Sequence, residues 1–140
     1  MLPDRLSEET FAVIAAALDS ARGDRRTEVD AGDVLRGLRH VPGPAADGLK
    51  ALGLPDTHRA AGAGDADFVT MSSEVKELLA TSVQVADLVR QQTVEPWHLL
   101  VSLLASPVLS AHRMLTAVGV SAGQAAALQR GLIHRGTAAA

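Results

Sequence analysis

The sequence has no cysteine and few aromatic residues, only 2% of its 140 positions, and both scarcities narrow what it can be. Without thiols there is no disulfide scaffold, no thiolate metal site and no cysteine nucleophile. With so few aromatics the core must be built from Ala, Leu, Val and Ile, which suits closely packed helices better than stacked sheets. Lysine is scarce as well, Lys50 and Lys76 alone, so the basic residues are nearly all arginine; with abundant Ala and Gly this is the composition of a GC-rich bacterial genome. A formal charge of −3 and a pI near 5.9 give no general attraction to phosphate backbones, so no nucleic-acid partner is expected. No stretch of about 18 apolar residues occurs, and the opening MLPDRLSEE is acidic where a signal peptide is basic and then apolar. The chain reads as soluble and cytoplasmic, with no membrane partner.

What is present is a 47% hydrophobic chain of a length that makes one domain and buries roughly two-thirds of its unfolded surface. Ser7 is a good N-cap, Glu8 and Glu9 suit the positive end of a helix dipole, and Leu6 and Phe11 have the spacing of a hydrophobic staple. Phe11, Ile14, Ala15, Leu18 and Ala21 keep to one face, which predicts a helix over 7–22. Val34, Leu35 and Leu38 mark a second helix that ends at VPGP, and Leu49 and Leu52 a third, with Gly53 at its left-handed C-cap. A further turn or short helix is expected between Pro55 and Ala61, followed by the linker-like GAGDAD.

The pattern then starts again. Met71 and Ser72 repeat Leu6 and Ser7, Leu79 and Ala86 repeat Ile14 and Ala21, and Leu100, Leu103 and Pro107 repeat Leu35, Leu38 and Pro42, all 65 positions apart. With one inserted residue, Leu115, Ala117 and Gly119 repeat Leu49, Ala51 and Gly53. This is an internal duplication, and two copies with one apolar face each would bury those faces against one another about a pseudo-two-fold axis. The expected organisation is a single domain over 1–140: repeat one at 5–61, a linker at 62–69, repeat two at 70–134, and a frayed tail at 135–140. The last helix is expected to run from a cap at Ser121 to Ile133.

These residues resemble the N-terminal domain of the Clp ATPases, the double-repeat domain that precedes the AAA+ modules of bacterial protein unfoldases. LSEETFAVIAAALDSA and MSSEVKELLATSVQVA match the family's first helix, WHLLVSLL its second, and LKALGL and MLTAVGV its third. The resemblance spans almost the whole chain and implies an all-α domain of about eight helices in two four-helix repeats. It also implies docking of substrates, adaptors or phosphorylated arginine for an unfoldase and its peptidase. The chain itself lacks the Gly-x-x-x-x-Gly-Lys-Ser/Thr phosphate loop, so it reads as a free-standing relative or as the head of a longer protein. Where family members carry the Glu of Thr-Glu-His, this chain has Gly32 and Trp97; at the His position it has Asp33 and His98. Since the resemblance assigns guanidinium binding to those glutamates, phosphoarginine recognition is expected to be lost or much weakened.

No catalytic, cofactor or metal site is expected. His40, His58, His98, His112 and His134 show neither i to i+4 spacing nor a local cluster, and His98 reads as a first-turn structural residue. Trp97 either packs on the core or lines the rim of a groove between repeats as an apolar anchor. Pro96 is a favoured first-turn residue, and the Leu99, Leu100, Leu103 and Leu104 stripe is core. Ser72 is a cap rather than a nucleophile. Arg36 and Arg39 read as solvated partners of Asp30 and Asp33, and Arg22, Arg25 and Arg26 as a solvated helix end. The resulting expectation is a non-enzymatic docking module with a groove at Val29, Asp33, Val94, Trp97 and His98. Its partners would be Clp unfoldase or protease components, adaptors, substrate peptides or cyclic-peptide ligands. The alternatives are a decoy that sequesters Clp-targeting antibiotics and an unrelated small helical ligand-binding protein; an enzyme would need a titratable cluster that the sequence does not display.

Overall fold

The computed structural model describes residues 5–57, 69–105 and 109–138. In order these form α1 (Glu8–Gly23), β1 (Glu28–Val29), α2 (Ala31–His40), α3 (Pro44–Ala51), β2 (Thr70–Met71), α4 (Ser73–Leu88), α5 (Pro96–Ala105), α6 (Leu109–Ala117) and α7 (Ala122–Ala138). The protein is all-α but for two-residue strands, with seven helices among the described residues. The extra turn expected after Pro55 and the GAGDAD linker fall largely outside the described residues.

Local chemistry repeats with the sequence. Ser7 accepts from the Thr10 amide and Ser72 from the Val75 amide, each satisfying a first-turn donor. The first helix of each repeat, α1 and α4, is followed by a non-glycine residue in the left-handed region, Arg25 at φ 57° and Arg90 at φ 59°. The next amide then returns to the helix, from Arg26 to the Ala21 carbonyl (2.9 Å) and from Gln91 to that of Ala86 (2.8 Å).

What ties the halves together is a strand exchange that the helical pattern does not announce. The segment before the first helix of each repeat pairs with the segment before the second helix of the other. β1 and β2 pair in parallel, Val29 opposite Met71, and Leu6 bridges to Val94 in the same sense. The matching bonds are Ser72 N–H to the Val29 carbonyl and Ser7 N–H to the Val94 carbonyl, both 3.1 Å. Exchanging the repeats maps one pairing onto the other, so the pseudo-two-fold passes between them.

α2 and α5 form the centre. Val34, Leu35, Leu38, Leu99 and Leu100 are fully buried, and Gly37 lets α2 approach α1 so closely that a Cβ there would stand 2.5 Å from the Val13 carbonyl oxygen. α1 is rotated from the expected face. It buries Thr10, Val13, Ile14, Ala17, Ser20 and Ala21, while Phe11 is 47% exposed and Ala15 lies outside. Small polar residues occupy the buried face: Thr10 Oγ1 donates to the Val94 carbonyl and Ser20 Oγ to Asp33, so both are satisfied there. α7 runs to Ala138, past Ile133 and through residues expected to fray, because its last turns lie against Trp97.

Candidate docking cleft

In the second helix of each repeat the residue before the helix donates its amide to a side chain three positions on, but the acceptors differ. In α2 the Asp30 side chain accepts from the Asp33 amide and Asp33 from the Asp30 amide, both at 3.0 Å. In α5 the acceptor for the Glu95 amide is His98 Nδ1, at 2.8 Å. A ring nitrogen thus replaces a carboxylate oxygen. Accepting at Nδ1 places the proton of the neutral ring on Nε2, a fully buried atom with no hydrogen-bond partner among the described residues. Burial, with the nearby Arg5 charge, pulls the His98 pKa down to about 4, so the ring is neutral at pH 7. Glu74 of α4 also caps α2 across the two-fold, accepting from the Ala31 amide at 3.2 Å. Its counterpart has no such donor to satisfy, since Pro96 begins α5.

Trp97 is only 8% exposed, its ring 4.1 Å from that of His98 and tilted by 43°. On the other side it lies on α7, so close to Gly136 that any Cβ there would overlap the indole. Gln91 Nε2 donates to the Gly136 carbonyl at 3.2 Å and fixes the same contact. The open side of this stack is a cavity of about 620 Å³. Trp97, Leu132, Gly136 and Pro44 give it apolar walls, while Asp47, Glu95, Arg90 and Arg135 contribute charge. Among the described residues no ion pair engages any of those four charges.

The matched position in repeat one is filled differently. Asp33 is fully buried and meets Arg26 through both oxygens, with Arg26 Nη1 to Oδ2 at 2.8 Å; Ser20 Oγ donates to Oδ1 at 2.8 Å. Burial pushes the Asp33 carboxyl up, but the bonds from Arg26, the Asp30 amide and Ser20 prevail and hold it below the usual carboxylate range. Asp30 moves the other way, raised chiefly by burial.

Of the sequence-derived candidates, Val29, Asp33, Val94 and His98 are buried, and Trp97 alone lines the large cavity. Val29 and Val94 carry the cross-repeat pairing; Asp33 and His98 carry the caps. Arg39 does not pair with Asp30 or Asp33 but donates to the Leu54 carbonyl at 2.7 Å. Arg26, read as part of a solvated helix end, is the partner of Asp33; Arg36 is a longer one at 3.5 Å. Arg26 and Asp33 lie on either side of β1, so no single helix face joins them. Leu132 and Arg135 were equally hidden, since α7 has no counterpart among the described residues of repeat one.

Comparison with solved structures settles the architecture. The N-terminal domain of the caseinolytic protease associated chaperone ClpD from Arabidopsis thaliana superimposes with a TM-score of 0.69 and 18% identity, covering 91% of this chain and 96% of that one. This chain has the fold of the Clp N-terminal domain. A second structure, described as part of a malarial protein secretion system, matches with a TM-score of 0.70 at 16% identity over 94% of this chain and 96% of that one. No family model matches the sequence, and no curated protein does so significantly. The likeness is therefore one of Clp N-domain fold, held at low identity by the duplicated helix order. No helix among the described residues is long and apolar enough to cross a membrane, and no three acidic, His or Cys side chains there form a metal-binding group.

Proposed function

We propose that the protein is a non-enzymatic docking module for Clp-type regulated proteolysis, and that it seats a polypeptide segment in the Trp97 cleft, which repeat two builds with α3 of repeat one. One apolar side chain of the partner rests on Trp97 and Leu132, while Arg90 and Arg135 donate to its backbone carbonyls or to acidic neighbours. The observation that carries this reading is the cavity at Trp97: its volume is that of a ligand site, its walls are apolar, and no ion pair among the described residues engages its charges. Val29, Val94, Asp33 and His98 hold the walls in register rather than touching the partner. Unfoldase components, adaptors and unfolded substrates all present such segments, and a compact cyclic peptide presents the same chemistry.

The test is the affinity of labelled, unfolded casein for the native protein and for Trp97→Ala, with circular dichroism to verify that the variant is folded. Truncation of a central aromatic anchor should weaken binding by roughly thirtyfold, the equivalent of about 2 kcal/mol. Free phosphoarginine should not compete, because Gly32 and Trp97 put no carboxylate at the two positions that would receive its guanidinium. Equal affinity of a folded Trp97→Ala variant would refute the assignment.

A further inference from the structure

The duplication gives the Trp97 cleft a counterpart in repeat one, and the two have diverged in a way that bears on how many partners the molecule can hold. Residues 65 apart correspond: Gly32 stands for Trp97, Asp33 for His98, Arg26 for Gln91 and Asp30 for Glu95. Beyond the single-residue insertion, Arg113 of α6 stands for Asp47 of α3. The counterpart cavity, between Arg26, Asp30, Gly32 and Arg113, measures about 240 Å³ against 620 Å³ in repeat two. It has no indole. Arg26 lines it, and behind Arg26 lies the buried Asp33 carboxylate on which that guanidinium is seated.

That seating engages both terminal nitrogens of Arg26. Both Arg26 terminal nitrogens face Asp33, one to each oxygen, and they also reach Asp24 at 3.2 Å and the Glu28 carbonyl at 3.3 Å. Asp33 also accepts from Ser20 and the Asp30 amide and, at the longer distance of 3.5 Å, from Arg36 Nη1. Arg26 approaches from the solvent side, its side chain 35% exposed while Asp33 is fully buried. We infer that Arg26 is an internal ligand that plugs the repeat-one cleft, so that partner segments enter through repeat two alone. A tethered guanidinium acts at an effective concentration that a free arginine side chain does not approach. The inference rests on the docking reading for the role it gives repeat two, but what it asserts about repeat one can be measured independently.

Removing the plug should leave a socket of defined chemistry: a buried carboxylate, open to solvent, shaped for a planar paired donor. In Arg26→Ala, calorimetry with N-acetyl-arginine amide should detect one saturable site, and the same compound should restore thermal stability lost by the substitution. N-acetyl-lysine amide should bind at least about tenfold more weakly, since a single ammonium cannot span both oxygens. The native protein should show no saturable site for either compound over the same concentrations. If the variant does not fold alone, folding rescued by the arginine amide supports the inference, and failure to fold in its presence counts against it. A folded variant without a site, or a native protein that binds as tightly as the variant, overturns it. Casein binding that fails to depend on Trp97 would refute the docking reading and leave this result standing.

Discussion

At the scale of single residues, Asp33 and His98 do one job with two chemistries, and their acid responses should separate. His98 has its pKa lowered from 6.5 to about 4, so the unfolded chain binds its proton first as pH falls. The stability that neutral His98 supplies therefore declines between pH 6.5 and about 4 and changes no further below, by about 3 kcal/mol in all. Asp33 is lowered too, but from an ordinary 3.8, so its contribution is intact above that value and is lost only at more acid pH. His98→Asn keeps an acceptor for the Glu95 amide and removes the titration. Urea unfolding at pH 7 and pH 4.5 should show a clear loss for the native protein and a much smaller one for the variant; equal losses would mean that another group governs this window. None of this was legible in the sequence beyond the position of the cap. That His98 would be sealed off, and that Arg26 would reach past β1 to Asp33, depend on packing that no local pattern encodes.

At the scale of elements, the duplication carried most of the information. Ser7 and Ser72, Leu35 and Leu100, and Gly53 and Gly119 mark equivalent caps, core positions and turns, and seven helices follow nearly where periodicity puts them. Periodicity failed where helices meet through small or polar residues. Thr10 and Ser20 occupy the buried face of α1, which is not the face that Phe11 suggested, and Gly37 lies at the closest approach of α1 and α2. Gly37→Ala should therefore destabilise the protein by about 1–3 kcal/mol, although alanine is the better helix former, because its Cβ would press on the Val13 carbonyl. Chemical denaturation checks this; a gain in stability would show that the helices can separate at no cost. The two-residue strands could not be foreseen either, since Glu28–Val29 and Thr70–Met71 are too short to display alternation.

At the scale of the whole molecule, the exchange of strands makes the two halves one body, while divergence at matched positions gives that body one open cleft and one occupied by its own arginine. The sequence disclosed the pair of halves and singled out Trp97, but not the asymmetry. That depends on α7, which reaches back over α5 and places Leu132, Arg135 and Gly136 around the indole. Trp97 is the only tryptophan, so its indole N–H gives one isolated signal from the open cleft. The most direct measurement is a nuclear magnetic resonance titration of the labelled protein with unfolded casein, following that signal together with the Arg26 guanidinium. The account predicts a saturable shift of the Trp97 resonance while Arg26 stays in place; casein bound with the Trp97 resonance unmoved would contradict it.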